Sequence, residues 1–173
     1  MRLTGRALAM MRQFVQSAPD APEAGGLLLG YLTERNHLLV INQVTVPAHG
    51  DVRERFGFER LDPAHNARVR EAWGRTAGGV NCWGTWHTHA EPNPKPSPLD
   101  LESWREDMVG ECAFHLIVGT EQIGVWYGEP GKLRALGSAS TALLIRRAAA
   151  ILVESSATNP SSERHDDGEK RQR

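Results

Sequence analysis

Apolar residues along this chain recur at two periods, and the alternation between those periods outlines a fold. Thr4 can cap a helix, and Leu8, Met11 and Val15 follow at helical spacing, predicting a helix to about Gln16 that "SAPDAP" ends. "GGLLLGYL" (residues 25–32) is a continuous apolar run and predicts a buried strand. "HLLVINQVTV" (37–46) predicts a second strand with Leu38, Val40, Val44 and Val46 on one face, and the short polar "TERN" between the runs predicts a hairpin. Residues 47–62 form a charged connection with a short strand at "FGF". "PAHNARVREAWGRTAGG" (63–79) predicts a helix stopped by Gly78 and Gly79. "VNCWGTWHTH" (80–89) reads as a strand, and Ser97 to about Met108 as a helix presenting Leu101, Trp104 and Met108 on one face. "AFHLIVGT", "IGVWYGE" and "KLRALGS" predict three further strands, the first two paired. The sum is an α+β domain: a mixed sheet flanked by helices.

The longest apolar candidate, "STALLIRRAAAILVESS" (140–156), is interrupted by Arg146 and Arg147 and predicts an amphipathic helix on or near the core, not a membrane span. The domain is therefore expected to occupy residues 1–155, with 156–173 a disordered polar tail. Trp73, Trp83, Trp86 and Trp104 are expected in the core, as aromatic residues at such spacings usually are.

Composition narrows the function classes. A chain of 173 residues supports one core, and 20 basic against 21 acidic residues give a net charge of −1. That balance carries no broad electrostatic footprint for nucleic acid or an anionic membrane. The two cysteines, Cys82 and Cys112, make no disulfide framework and are expected as buried, reduced thiols. "MRLTGRALAMMRQF" has no long apolar segment of the kind that directs secretion, so a soluble cytoplasmic protein is expected, with neither nucleic acid nor membrane as partner. "GGLLLG" lacks the lysine and hydroxyl residue of a phosphate-binding loop, and it lacks dinucleotide glycine spacing.

The chemistry concentrates in "WHTHAEPNPKPSPLD" (86–100). Ser97-Pro98-Leu99-Asp100 is a capping box with proline at the first helical position, and helix initiation alone would explain that serine and aspartate. His87 and His89 alternate at a strand end and so share a face, where a lone histidine would more often be structural. Their conjunction with Asp100 is what structure alone does not require. Two imidazoles and a carboxylate, with a fourth position left for water, is the arrangement of catalytic zinc. Hydrolysis also needs a base, and Glu23 in "APEAGGLLLG" stands immediately before a buried strand. His89-Ala90-Glu91 also matches the H-x-E of zinc nucleobase deaminases, but the downstream P-C-x-x-C is missing.

"EAGGLLLG" followed by "HTHAEPNPKPSPLD" resembles the JAMM signature of JAB/MPN-type zinc metallopeptidases, over about residues 3–140. One departure is Ala90, where the family usually has proline; Pro92, Pro94 and Pro96 still stiffen the loop. The resemblance implies the cytidine-deaminase-like JAB/MPN fold and one Zn²⁺ per chain, held by His87, His89 and Asp100 with water as fourth ligand. It implies Glu23 as general base and Ser97 as oxyanion donor, in cleavage after the C-terminal residue of a ubiquitin-like or other conjugated protein. "RERFGFERLDPAHNARVREAW" with "GTWHTHAEPNPKPSPLDLESW" is similar to small bacterial JAB deconjugases of CBASS antiphage systems, whose conjugated partner is a cyclic-oligonucleotide synthase. JAB peptidases often carry a substrate clamp in the region of residues 47–62, but no substrate-binding residue is assigned here. The rival reading is a non-catalytic MPN-type scaffold that binds a partner; such scaffolds typically lose a ligand or the glutamate.

Overall fold

In the computed structural model, which describes residues 1–35, 37–107 and 113–140, the two apolar runs form the expected hairpin. After β1 (Arg2–Leu3) and α1 (Gly5–Arg12), β2 (Gly25–Leu32) pairs antiparallel with β3 (Leu39–Val44). The connection that follows carries β4 (Val52–Glu54) and β5 (Gly57–Glu59) and leads to α2 (Ala64–Arg75). Then come β6 (Asn81–Thr88), α3 (Pro98–Asp107), β7 (Ala113–Val118), β8 (Gln122–Glu129) and β9 (Lys132–Ser140). The main sheet runs β1-β3-β2-β6-β7-β8-β9, with β1–β3 and β6–β7 parallel and the other pairs antiparallel; β4 and β5 form a separate hairpin. Met108, Cys112, the expected helix at 140–156 and the polar tail lie outside the described residues.

The continuous apolar run in β2 has a two-faced cause. Leu28 packs with Leu8, Met11, Ile41, Trp86 and Leu116 under α1, while Leu27 and Leu29 pack with Ala72 and Val80 under α2. Ile117 meets Trp104 of α3. A strand covered on both faces has no polar side to alternate with.

Several expectations need correction. α1 stops at Arg12 and not near Gln16, because Phe14 and Val15 N–H groups bond to Met11 and Arg12, three residues back, and tighten the chain out of the helix. In β3, Leu29 faces Gln43 and Gly30 faces Ile41, leaving Asn42 as an extra residue. That bulge inverts the alternation: Leu39 and Ile41 join Val44 and Val46 at the principal core, while Val40 lies on the other face. The "FGF" strand is Gly57–Glu59; Phe56 sits in the turn, 82% exposed. A second bulge, at Trp83, puts Trp83 and Trp86 on one face and leaves Cys82 exposed instead of buried. Gly84, beside it, has φ +140°, and a Cβ there would stand 1.9 Å from Phe114 O. Trp73 is likewise exposed, because Val69 and Ala72 take the inward face of α2.

Candidate active site

The sheet register carries the base and the histidines to one end. Gly25 is paired with His87, so Glu23, just before β2, is set beside the end of β6. Thr88 locks that junction: its N–H donates to Ala24 O at 2.8 Å, and its Oγ1 accepts the Ala24 N–H at 3.0 Å. Gly26 packs against β3 so closely that a Cβ would meet Thr45 O at 2.2 Å. The loop after His89 is tied to the β7–β8 turn, with the His89, Thr120 and Gln122 N–H groups donating to Val118, Glu91 and Pro92 carbonyls. Ala90 lies within this anchored stretch.

The capping box forms as a reciprocal pair. Ser97 N–H donates to Asp100 Oδ2 at 2.6 Å, and Asp100 N–H donates to Ser97 Oγ at 3.1 Å. Pro98, lacking an N–H, opens α3 at no hydrogen-bonding cost. This cap turns Asp100 toward the histidines.

The structure brings His87, His89 and Asp100 together. His87 Nε2 lies 3.1 Å from His89 Nε2 and 3.1 Å from Asp100 Oδ1, and His89 Nε2 is 3.3 Å from Asp100 Oδ2. Glu23 Oε1 is 3.8 Å from His89 Nε2. Ser97 joins Glu23 and the three others around a cleft of about 360 Å³ that Phe56, Phe58 and Trp104 also line. An ion with tetrahedral bonds of roughly 2.0–2.1 Å needs its ligand atoms about 3.3–3.4 Å apart. The inward-facing atoms here are spaced to within a few tenths of an ångström of that requirement, so the residues fit the zinc that the resemblance implies.

Burial sets the electrostatics. Glu23 is pushed up to about 7, first by burial, against the opposing pull of His89 and with the repulsion of Asp100 and Glu91. Burial would also raise Asp100, but hydrogen bonds with His87 and His89, then the Ser97 N–H, hold its carboxyl well below the usual range. Burial would lower His89, yet Asp100, Glu23 and Glu91 together raise it. A base with affinity for a proton near neutrality therefore stands beside a carboxylate that stays ionised.

Two participants escaped the sequence reading. Glu91 Oε2 lies 3.1 Å from His89 Nδ1, which favours the tautomer whose Nε2 lone pair faces inward. Sequence weighed Glu91 only as part of H-x-E; its spacing from His89 was the available signal. His115 is fully buried, bonded through Nδ1 to Thr85 Oγ1 at 3.0 Å and stacked on Trp104 at 4.4 Å. Burial and then the neighbouring His87 push it down to about 4, so it is neutral at physiological pH. A histidine inside the apolar run "AFHLIV" was its signal.

Comparisons with known proteins bear on the family and the fold. Residues 7–134 match the family described as prokaryotic homologs of the JAB domain. A relative from Vibrio cholerae serotype O1, named CD-NTase/cGAS isopeptidase, is 35% identical over 128 residues, covering 73% of this chain and 80% of its own. Another of that name, from Pseudomonas aeruginosa strain BWHPSA011, is 43% identical over 97 residues, covering 56% of this chain and 60% of its own. A solution structure from Desulfitobacterium hafniense shares the α+β fold at TM-score 0.51 and 17% identity, covering 79% of this chain and 89% of that one. No helix among the described residues is long and apolar enough to cross a membrane. With a family match across most of its length, this chain belongs to the prokaryotic JAB-domain family.

Proposed function

We propose that this protein is a zinc-dependent isopeptidase of the bacterial cytoplasm that removes a C-terminally conjugated protein from its targets. The conjugated partner in this reading is a CD-NTase, a cyclic-oligonucleotide synthase of CBASS antiphage defence, as the names of the relatives suggest. The observation that carries the reading is the convergence of His87, His89 and Asp100 with Glu23 3.8 Å from His89.

His87, His89 and Asp100 would hold the ion. Zinc, when bound, supplies Lewis-acid polarisation of the scissile carbonyl and lowers the pKa of a water toward 7. The Glu23 carboxylate takes the proton from the attacking water and delivers it to the leaving amine. Ser97 Oγ uses an acceptor site on the Asp100 N–H, leaving its O–H to donate to the oxyanion. Glu91, through His89 Nδ1, orients that ligand.

The test is Glu23→Gln, assayed on a CD-NTase fused through its C-terminus to a fluorescent protein. Loss of turnover by at least about 10²-fold is expected, with zinc content equal to the parent by mass spectrometry. A parental rate would remove Glu23 from the mechanism. A zinc-loaded parent that processes no conjugate, with Glu23→Gln indistinguishable from it, would favour the scaffold reading.

A further inference from the structure

Glu23 lies in an irregular segment, and its backbone is held from outside that segment. Its N–H donates to Glu54 O of β4 at 2.7 Å, and its carbonyl accepts from Arg53 Nε at 2.8 Å. The same guanidinium reaches Pro22 O at 3.4 Å and lies over the Phe14 ring, 5.6 Å from its centroid. Arg55 Nη1 donates to Ala18 and Ala21 carbonyls at 3.4 and 3.2 Å. Gln16, 3% exposed, completes the attachment, its Nε2 donating to Ala21 O at 2.9 Å and Arg55 O at 3.0 Å. The hairpin β4–β5 is thus fastened along its flank to the stretch that presents the base.

At its foot the hairpin is fixed independently. His65, on α2, bridges Thr45 Oγ1 at 2.6 Å and Asp51 Oδ2 at 2.8 Å, and Asp51 also accepts the N–H groups of Ala48, Leu61 and Asp62. An isolated two-stranded hairpin is marginal in water, so this one owes its shape to these attachments. Its turn, with exposed Phe56, borders the cleft.

We propose that Arg53 is a positioning residue for Glu23, and that the β4–β5 hairpin is the element that fixes the general base in place. The inference rests on Glu23 being that base. Neither the N–H nor the C=O of Glu23 is bonded within the main sheet, so the hairpin supplies both anchors. Loss of the Arg53 anchor lets the carboxylate drift, and a misplacement of about 1 Å can cost up to roughly 10²-fold in rate.

The experiment compares Arg53→Ala and Arg53→Lys in the full-length, zinc-loaded protein on the CD-NTase fusion. For Arg53→Ala a fall in kcat of roughly 10- to 100-fold is expected, with KM and zinc content near parental. Arg53→Lys, whose ammonium can still donate to Glu23 O, should retain more kcat than Arg53→Ala. In the metal-free protein, amide exchange at Glu23 should quicken in Arg53→Ala by about tenfold or more as the segment opens locally. An unchanged kcat, or a loss confined to KM, would overturn the proposal. Glu23→Gln run alongside separates the two readings. If it is inactive while Arg53→Ala is parental, only the positioning role falls; if it is active, the base assignment falls and this inference with it.

Discussion

At Asp100 one carboxylate serves two ends: Oδ2 accepts the Ser97 N–H at 2.6 Å and lies 3.3 Å from His89 Nε2, and Oδ1 stands 3.1 Å from His87 Nε2. The residue that starts a helix is thereby a proposed ligand. Glu91 acts on the opposite side, through His89 Nδ1, from a largely exposed position. Replacing it should disturb the metal more than the fold. Glu91→Ala is expected to weaken zinc binding by roughly 10- to 100-fold, the usual effect of losing a carboxylate behind a histidine ligand, while Glu91→Gln, which keeps an acceptor, should lose less. Chelator competition measures this directly, and equal affinities in all three proteins would strip Glu91 of the role. His87, His89, Asp100, Glu23 and Ser97 could all be proposed from sequence because the family signature that the chain resembles spans all five, and the structure brings them around one cleft. Glu91 and Arg53 could not, since what they do depends on a ring's orientation and on a backbone carbonyl distant in sequence.

Among the elements, α3 shows how local signals and site chemistry coincide. Its cap, its opening proline and its inward Trp104 were all legible, because capping depends on residues three apart. Ser97→Ala should therefore do two separable things. It should destabilise the protein by about 1 kcal/mol through the lost cap, and lower kcat by about 10²-fold through the lost oxyanion donor. Ser97→Asp restores the cap without the donor, so it should recover stability and not rate; recovery of both would end the oxyanion assignment. The hairpin β4–β5 was only half legible. Gly57–Glu59 carries an aromatic signal, but Val52–Glu54 is exposed throughout and has no apolar alternation to betray it. The bulges at Asn42 and Trp83 were invisible for a related reason: alternation assumes an unbroken period of two, and an extra residue shows only when the partner strand is known.

For the molecule as a whole, the buried cluster carries a stability cost that depends on pH. In the folded, metal-free protein Glu23 titrates at about 7 against an ordinary value of 4.5. The folded state thus holds this proton more tightly than the unfolded state. The stability it confers is complete below about 4.5 and is lost as pH rises through about 7. Glu23→Gln removes that dependence. The melting temperature of metal-free Glu23→Gln should accordingly exceed that of the parent at pH 8, and the gap should shrink toward pH 5. A gap that does not change with pH would show that Glu23 is not the group responsible. The overall architecture was legible because β2 and β3 announce themselves as apolar runs and the family signature ties β2 to β6; sheet order and register required the structure.

The extra residue in β3 has an evolutionary consequence. Asn42 acts as a phase corrector: upstream of it Ile41 points to the core, and downstream Thr45 points the other way, toward Leu27 N–H and His65. Among the described residues its buried Oδ1 has no hydrogen-bond partner. Removing one residue here and removing two should then have opposite fates. Deleting residue 42 leaves Ile41 and Val44 two apart, like the Gly30 and Leu28 they face, so Thr45 should keep its contacts, whereas deleting residues 42 and 43 together should rotate Thr45 by one pleat and disconnect it from His65 and Trp86. A deletion scan read out by protease resistance would reveal it, and a double deletion as resistant as the single one would mean that β3 can slip. In such a lineage this site can lose one residue, but not two.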